Sequence, residues 1–275
     1  MLQIPKLIDL HQSDLMPQEI YDQTYAEQND STSQWKILVN VVRQLRKQCP
    51  WDSEQTHASL RHLLIEEAYE TVEALDGGDM QELCTELGDL LLQIILHSVI
   101  AEESKHFDLA GVITAVIEKM IRRHPHVFDD LEVSSVEEVL QNWESLKAKE
   151  RKGESVLNGV PNHMPALLSA YRIQEKVAST GFDFPDQEST WAKVEEEIQE
   201  FKSAGLKDER ESEFGDLLFA LVNYARKNQI NPEDALRGTN HRFRTRFEYV
   251  EANVDDMEAA GLEELDRYWE ASKNQ

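Results

Sequence analysis

Apolar residues recur every three to four positions along most of the chain, which is the spacing of amphipathic α-helices. In the first half this spacing predicts helices over about 35–47, 56–75, 80–104, 109–123 and 135–150. Pro50, Pro125 and the sequence Asp76-Gly77-Gly78-Asp79 separate neighbouring helices, because proline and glycine interrupt helical backbone. Alternating β-branched runs, the pattern of strands, are few. The sequence therefore predicts an all-α fold.

The second half of the chain repeats the order of features in the first half. Each half carries the motif E-E-x-x-E, a turn, the motif E-x-x-D, a helix with two basic residues one turn apart, and a terminal helix with a tryptophan. The matched pairs are Asp52 with Asp183, Lys119 with Arg242, Arg123 with Arg246, and Trp143 with Trp269. Such an ordered recurrence indicates duplication. We therefore expect a tail at 1–33, a first helical domain at 34–150, a linker at 151–165 and a second helical domain at 166–275.

The acidic motifs predict two metal sites. Residues three and four apart share one face of a helix, so each motif projects its carboxylates from one side. The candidate ligands are Glu67, Glu70, Glu86 and Asp89 in the first repeat, and Glu197, Glu200, Glu213 and Asp216 in the second. Clustered carboxylates repel one another unless a cation lies between them, and hard oxygen ligands suit Mg²⁺, with Mn²⁺ as a substitute.

The alternative interpretation is a set of solvated helix faces, since the chain has 53 Asp and Glu against 28 Lys and Arg. Against it, Asp89 and Asp216 lie in leucine-rich segments, where an unpaired buried charge would be unfavourable. This context favours the metal sites.

Basic and aromatic residues at matched positions suggest a nucleotide ligand. Arginine grips phosphate through a bidentate fork, and the flat face of tryptophan stacks on any base. The candidates are Lys193, Arg242, Arg246 and Trp269 in the second repeat, and Lys119, Arg123 and Trp143 in the first. Two alternatives remain open: the tryptophans are core residues, or the arginines pair with nearby acids such as Glu248 and Glu251.

The net charge and the cysteine content indicate which partners and which cellular compartment fit the protein. A formal net charge of -25 opposes binding to nucleic acid or to an anionic membrane. The two cysteines, Cys49 and Cys84, are too few for a disulfide framework and fit a reducing cytoplasm. The most apolar run, 90–101, is shorter than the roughly 20 residues that span a bilayer, and the N-terminus lacks the regions of a signal peptide. We expect a cytoplasmic protein without a membrane segment.

Four motifs taken together resemble the two-domain MazG proteins of the all-α NTP pyrophosphatase superfamily. They are the acidic motifs at 66–70 and 86–89, Cys49-Pro50-Trp51-Asp52, and the segment 122–128 that reads RRHPHVF. The resemblance covers about Trp35 to the C-terminus. It implies helical bundle domains that form a homodimer, dependence on Mg²⁺, and hydrolysis of NTP or dNTP to the monophosphate and pyrophosphate. A role in clearing non-standard or surplus nucleotides is expected with it.

The resemblance also implies roles for individual residues of the second repeat. Glu197, Glu200, Glu213 and Asp216 correspond to the metal ligands, and Lys193, Glu196, Arg242, Arg246 and Trp269 to the nucleotide contacts. Glu196 or Glu197 is the candidate base for a water that attacks the α-phosphorus. The sequence departs from the family pattern at two places. The turn between Glu200 and Glu213 is compact, and position 242 is Arg, where Lys also occurs in the family.

The second repeat is expected to be the catalytic one. Lys193 is matched by apolar Leu63 in the first repeat, and a pyrophosphate leaving group needs cations as well as metal. Two rival functions are a non-catalytic helical module that binds metal or nucleotide for regulation, and another Mg²⁺-diphosphate enzyme such as an isoprenoid synthase, although that class favours Asp-rich clusters.

Overall fold

In a computed structural model of the chain, residues 30–150, 153 and 155–274 are described, and α-helix is the only regular structure among them. The predicted all-α fold class is confirmed. The predicted tail lies almost wholly outside the described residues. The helices are α1 (Ser31–Gln48), α2 (Pro50–Glu54), α3 (Arg61–Gly77), α4 (Met80–Glu103), α5 (Leu109–Arg123), α6 (Pro125–Phe128), α7 (Val136–Glu150), α8 (Ala166–Ala178), α9 (Gln187–Ser203), α10 (Lys207–Lys227), α11 (Pro232–Asn253) and α12 (Leu262–Ser272).

Polar side chains fix where the acidic helices begin. Asp79 precedes α4 and accepts hydrogen bonds from the backbone N–H groups of Gln81 at 2.8 Å and Glu82 at 3.1 Å. Asp186 does the same for α9, accepting from Ser189 N–H at 2.7 Å. These caps satisfy amides that have no partner inside the helix. The cap residues therefore set the register of the acidic motifs along their helices.

Four helix boundaries differ from the sequence prediction. Pro50 and Pro125, which we expected to end helices, also begin the short helices α2 and α6, because proline fits the first turn, where its missing N–H is not needed. Helix α1 begins at Ser31, within the predicted tail, because the side chain of Asp30 caps it there. Helix α3 begins at Arg61 rather than near 56, after a turn in which Thr56 and Ser59 bond to each other.

The chain divides into two compact units between Glu132 and Val133. Helix α7, which the sequence analysis assigned to the first domain, falls in the second unit by this division. The predicted residue boundaries of the domains otherwise stay a prediction. Each unit is described separately below.

In the first unit, α4 is the central helix of the core. It packs against α1, α3 and α5. The buried cluster contains Val42, Leu60, Ile95, Leu96 and Val99. The buried part of α4 is its C-terminal half, which leaves the N-terminal half, with Glu86 and Asp89, alongside α3. In the second unit, α9 and α10 form the corresponding hairpin, and α8 packs on α10.

Helix α4 is also the one described helix that is long and apolar enough to cross a membrane by length and composition. The helix has 24 residues, so it is longer than the apolar run at 90–101 from which we expected no membrane segment. Core helices of soluble proteins pass the same test, and seven residues of α4 are buried in the unit.

Candidate active site

Three carboxylates of the second unit meet between α9 and α10. Oxygen atoms of Glu197, Glu200 and Glu213 lie within 4.8 Å of one another. The side chain of Glu197 is only 8% exposed, and its Oε2 is buried without a hydrogen-bond partner among the described residues. Burial, followed by the charge of Glu197, raises the pKa of Glu200. The group thus combines mutual repulsion with an unsatisfied acceptor, which is the environment that a cation would relieve.

Lys193 lies beside this cluster and already has acidic partners. Its Nζ is 2.7 Å from Glu197 Oε1 and 2.9 Å from Glu196 Oε1, one turn away on α9. The bond to Glu197, and then the bond to Glu196, raises the pKa of Lys193 above its usual range. Lys193 is therefore a fixed positive charge at the edge of the acidic cluster. Any contact with a phosphate would require it to share or exchange these partners.

The first unit holds a matching cluster between α3 and α4. Oxygen atoms of Glu67, Glu70 and Glu86 lie within 4.8 Å of one another. Burial raises the pKa of Glu67, with the charges of Asp89 and Glu70 adding to it. Burial and the charge of Glu70 likewise raise the pKa of Glu86. The duplication seen in the sequence is thus reproduced as two three-carboxylate clusters.

The two aspartates predicted as ligands are placed less uniformly. Asp89 is half-buried and close enough for its charge to act on Glu67 and Glu86, but it is outside the trio. Asp216 is exposed and also outside the trio of its unit. The expectation that Asp216 is buried by its leucine-rich neighbours is wrong for the single chain, because the helix turns that position toward solvent.

One contributor to the first cluster was missed by the sequence analysis. Gln93 is buried on α4, and its Nε2 lies 3.5 Å from Glu67 Oε1. The signal was available, since Glu86, Asp89 and Gln93 follow one helix face at i, i+3 and i+7. The corresponding position in the second unit is Ala220. The central glutamate therefore meets an amide in one unit and an ammonium group in the other.

The predicted basic and aromatic contacts of the second unit lie together on α11 and α12. The guanidinium carbon of Arg246 is 6.0 Å from the centre of the Trp269 ring, and Phe243 packs on the same ring at 5.0 Å. Arg242 donates to Thr239 Oγ1 at 2.8 Å. Neither arginine has a carboxylate partner within the described residues, so the expected alternative of pairing with Glu248 or Glu251 is not what the structure shows. No hydrogen bond or ion pair among these residues joins them to the carboxylate cluster.

The first-repeat counterparts are divided between the two units. Lys119 and Arg123 lie on α5 of the first unit, whereas Trp143 lies on α7, which groups with the second. All three are half-buried. Within one unit, therefore, these candidates do not form the arrangement found on α11 and α12.

Comparison with known proteins adds evidence from outside the geometry. The family model for the MazG nucleotide pyrophosphohydrolase domain matches residues 55–128. A nucleoside triphosphate pyrophosphohydrolase/pyrophosphatase MazG from Thermotoga maritima is 42% identical over 244 residues, which cover 86% of this chain and 94% of that protein. The chain belongs to the MazG family.

A second relative agrees with this membership, and one solved structure is also similar to part of the chain. A nucleoside triphosphate pyrophosphohydrolase from Escherichia coli K12 is 36% identical over 253 residues, covering 86% of this chain and 96% of that protein. A solved MazG-related protein from Thermotoga maritima matches 41% of this chain at 28% identity, with a TM-score of 0.37. The MazG family model itself falls inside the first unit, although the acid trio occurs in both.

Proposed function

We propose that the protein hydrolyses nucleoside triphosphates or their deoxy forms to the monophosphate and pyrophosphate, and that Mg²⁺ held by the carboxylate clusters is required. The observation that supports it most is the trio of carboxylates at equivalent positions of both units, with oxygens within 4.8 Å of one another. Relatives that align over most of this chain carry the name nucleoside triphosphate pyrophosphohydrolase.

The donor set fits magnesium. All three groups in each trio offer hard carboxylate oxygens, and Mg²⁺ takes oxygen ligands at about 2.1 Å, so ligands on opposite sides of the ion lie about 4 Å apart. The observed limit of 4.8 Å is within a small side-chain adjustment of that spacing. The unpartnered Oε2 of Glu197 would gain a ligand bond. Glu197, Glu200 and Glu213 would hold the ion in the second unit, and Glu67, Glu70 and Glu86 in the first. Mn²⁺, with similar ligand preferences, should substitute.

The bound ion would neutralise phosphate oxygens and make a water molecule more acidic. The protein's own groups have separate tasks. Glu196 is exposed at the edge of the cluster, where its carboxylate can accept a proton from an attacking water, with Glu197 as the other candidate. Lys193 holds both glutamates and presents a positive charge to the same edge. Arg242 and Arg246, which have no acidic partner in the part of the chain that the structure describes, remain able to bind phosphate oxygens.

We further propose that the protein acts as a homodimer and that it clears unwanted nucleotides. Support for the dimer comes from large apolar side chains that remain exposed on the helices of the first unit. They include Leu87 and Ile94 on one face of α4, and Ile117 and Ile121 on α5. Exposed apolar helix faces of this kind are usually covered by another protein surface. A second copy of the chain fits because the faces recur in both units, with Phe214 and Leu221 on α10.

Product analysis in labelled water tests the proposed reaction. In H₂¹⁸O with Mg²⁺, attack at the α-phosphorus places the label in the monophosphate, and ³¹P NMR resolves monophosphate and pyrophosphate from diphosphate and phosphate. We expect labelled monophosphate and unlabelled pyrophosphate, and no turnover in excess chelator. Diphosphate and phosphate as products would refute the proposal. Metal-dependent nucleotide binding without turnover would favour the regulatory module.

A further inference from the structure

The two carboxylate clusters differ in the charge of their nearest neighbour, although their acids occupy matched positions. In the second unit this neighbour is Lys193, whose Nζ lies 2.7 Å from Glu197 Oε1. In the first unit the matching position is Leu63, which packs against the apolar core. The charged groups that act most strongly on Glu67 are all acids. Among the described residues, the second cluster therefore contains a counter-ion of its own and the first does not.

Lys193 occupies a carboxylate oxygen that a metal ion would use. Glu197 is the most buried acid of its trio, with 8% of its side chain exposed, and two contacts hold the ammonium group there, to Glu197 and at 2.9 Å to Glu196 Oε1. Since a Mg²⁺–oxygen bond is about 2.1 Å long, an ion bound to Glu197 Oε1 would lie less than about 5 Å from Nζ. Like charges at that distance repel strongly beside a buried group, where salt screens little. Lys193 therefore opposes the binding of a free cation.

The neighbour of the first cluster is neutral. Gln93 Nε2 lies 3.5 Å from Glu67 Oε1, at the outer limit of a hydrogen bond. With its acids ionised the first trio keeps all its negative charge, and Asp89 adds a further charge that acts on Glu67 and Glu86. A divalent cation is the group that relieves such repulsion. The first cluster is thus able to bind a cation in the absence of nucleotide.

A triphosphate would change this balance in the second cluster. The lysine ammonium group is a point charge on a flexible stem, and its three donors can turn from one anion to another. The side chain of Lys193 is 36% exposed, so Nζ can move without disturbing the core. Movement of Nζ from Glu197 Oε1 to a phosphate oxygen would free that carboxylate oxygen for the metal ion that accompanies the nucleotide.

We propose that Lys193 is an internal counter-ion that makes cation binding at the second cluster depend on the nucleotide. Lys193 weakens the binding of a free divalent cation and releases Glu197 when a nucleoside triphosphate arrives with its metal ion, whereas the first cluster binds a cation on its own. The inference rests on the proposed function and adds an order of binding to it. Metal and nucleotide should therefore strengthen each other's binding at the second cluster.

Binding of Mn²⁺ to the full-length protein tests the proposal without turnover, because electron paramagnetic resonance measures free Mn²⁺ directly. Wild type is compared with Glu67→Gln, Glu197→Gln and Lys193→Met, and circular dichroism checks the fold of each variant. Lys193→Arg keeps the positive charge. Lys202→Met is the matched control, since it removes one positive charge from an exposed position of the same helix, about 140° around the axis from Glu197.

Wild type should bind Mn²⁺ in two classes of site whose dissociation constants differ at least about tenfold. Glu67→Gln should lose the tighter class and Glu197→Gln the weaker class. Lys193→Met should tighten the weaker class at least about tenfold, because the repulsion from the ammonium group is gone. Lys193→Arg and Lys202→Met should stay within about twofold of wild type, since distant exposed charges are screened and the arginine keeps the charge.

A triphosphate analogue with a methylene bridge between the α- and β-phosphorus provides the second measurement. The analogue should tighten the weaker class in wild type more than in Lys193→Met, once the Mn²⁺ bound to the analogue in solution is subtracted. The reason is that the variant has no ammonium group for the phosphates to draw away.

Three results would overturn the proposal. They are equal Mn²⁺ affinities of the two clusters in wild type, a weaker class that is no tighter in Lys193→Met than in Lys202→Met, and loss of the tighter class in Glu197→Gln. Failure of the proposed function would look different. The wild type would then not form monophosphate and pyrophosphate, whereas the two classes of Mn²⁺ site would still be resolved.

Discussion

Replacing Glu197 by glutamine separates the chemistry of the carboxylate cluster from its contribution to the fold. Glutamine keeps the volume of the side chain but removes its charge. Glu197 is the most buried member of the trio, at 8% side-chain exposure, and it has both a bond to Lys193 and an unpartnered oxygen. Glu67→Gln makes the same change at the matching position of the first unit, so it serves as the matched variant.

The two effects of Glu197→Gln differ in size. Loss of a central electrostatic group in a site lowers kcat by at least about a hundredfold, or about 2.7 kcal/mol in activation free energy. The loss to folding is smaller, because an i,i+4 pair with a lysine that is 36% exposed contributes about 0.3–0.5 kcal/mol. Relief of repulsion with Glu200 acts in the opposite direction. We therefore expect a large loss of kcat and a change of less than about 1 kcal/mol in the free energy of unfolding.

The assay compares kcat under saturating Mg²⁺ and triphosphate with urea unfolding in chelator, for wild type, Glu197→Gln and Glu67→Gln. Asp216→Asn and Asp89→Asn form a second matched pair, for which we expect the same ranking. If Glu67→Gln abolishes turnover while Glu197→Gln keeps more than a tenth of it, the second unit is not the catalytic one. If Glu197→Gln unfolds the protein, the cluster is a structural element and the argument from the metal site fails.

Two further predictions concern pH and assembly. The folded-state pKa of Glu67 is raised, so the stability that Glu67 contributes is present below its unfolded pKa and is lost as pH rises through its folded pKa. In chelator, Glu67→Gln should therefore have the same Tm as wild type below about pH 4 and a higher Tm at pH 7. A lower Tm at pH 7 would contradict this. Light scattering of the wild-type protein should give twice the chain mass of 31.7 kDa. The double variant with Leu87→Lys and Ile94→Lys should shift the protein toward monomer, because both side chains are exposed apolar groups. A monomeric, fully active wild type would exclude the dimer.

Helix content and the acidic trios could be predicted from the sequence because both depend on local spacing. Glu197 and Glu200 are three apart on α9, and Glu213 follows a short turn on α10, so hairpin geometry alone brings them together. The position of Asp216 could not be predicted in the same way. Its orientation depends on how far α10 is rotated against α8 and α9, and that rotation is set by packing between residues distant in sequence.

A cavity of about 520 Å³ between α8, the segment 181–185 and α10 was not predictable for the same reason. Gln174, Phe182 and Asn223 are separated by up to 49 positions, and they meet only because α8 and the segment 181–185 pack on α10. The partner of Lys193 was predictable, in contrast, since Glu196 and Glu197 follow at i+3 and i+4. The basic residue before E-E suggested a phosphate contact, although this local ion pair accounts for Lys193 equally well. An acid one turn away should be considered first whenever a lysine precedes E-E.

Duplication preserved the carboxylates and changed what surrounds them, and this explains why counting acids cannot rank the two sites. The first trio meets the neutral amide of Gln93, so with all three acids ionised it carries three negative charges. The second meets Lys193, which reduces that charge by one. A more negative cluster attracts a cation more strongly, yet it also repels a triphosphate more strongly. Metal binding and substrate binding therefore favour opposite units.

The pyrophosphate leaving group needs cations near the metal, and among the described residues Lys193 supplies one at 2.7 Å from the cluster, whereas Leu63 occupies that position in the first unit. Identical Glu→Gln substitutions are expected to differ in kcat because of this neighbour, not because of the acids themselves.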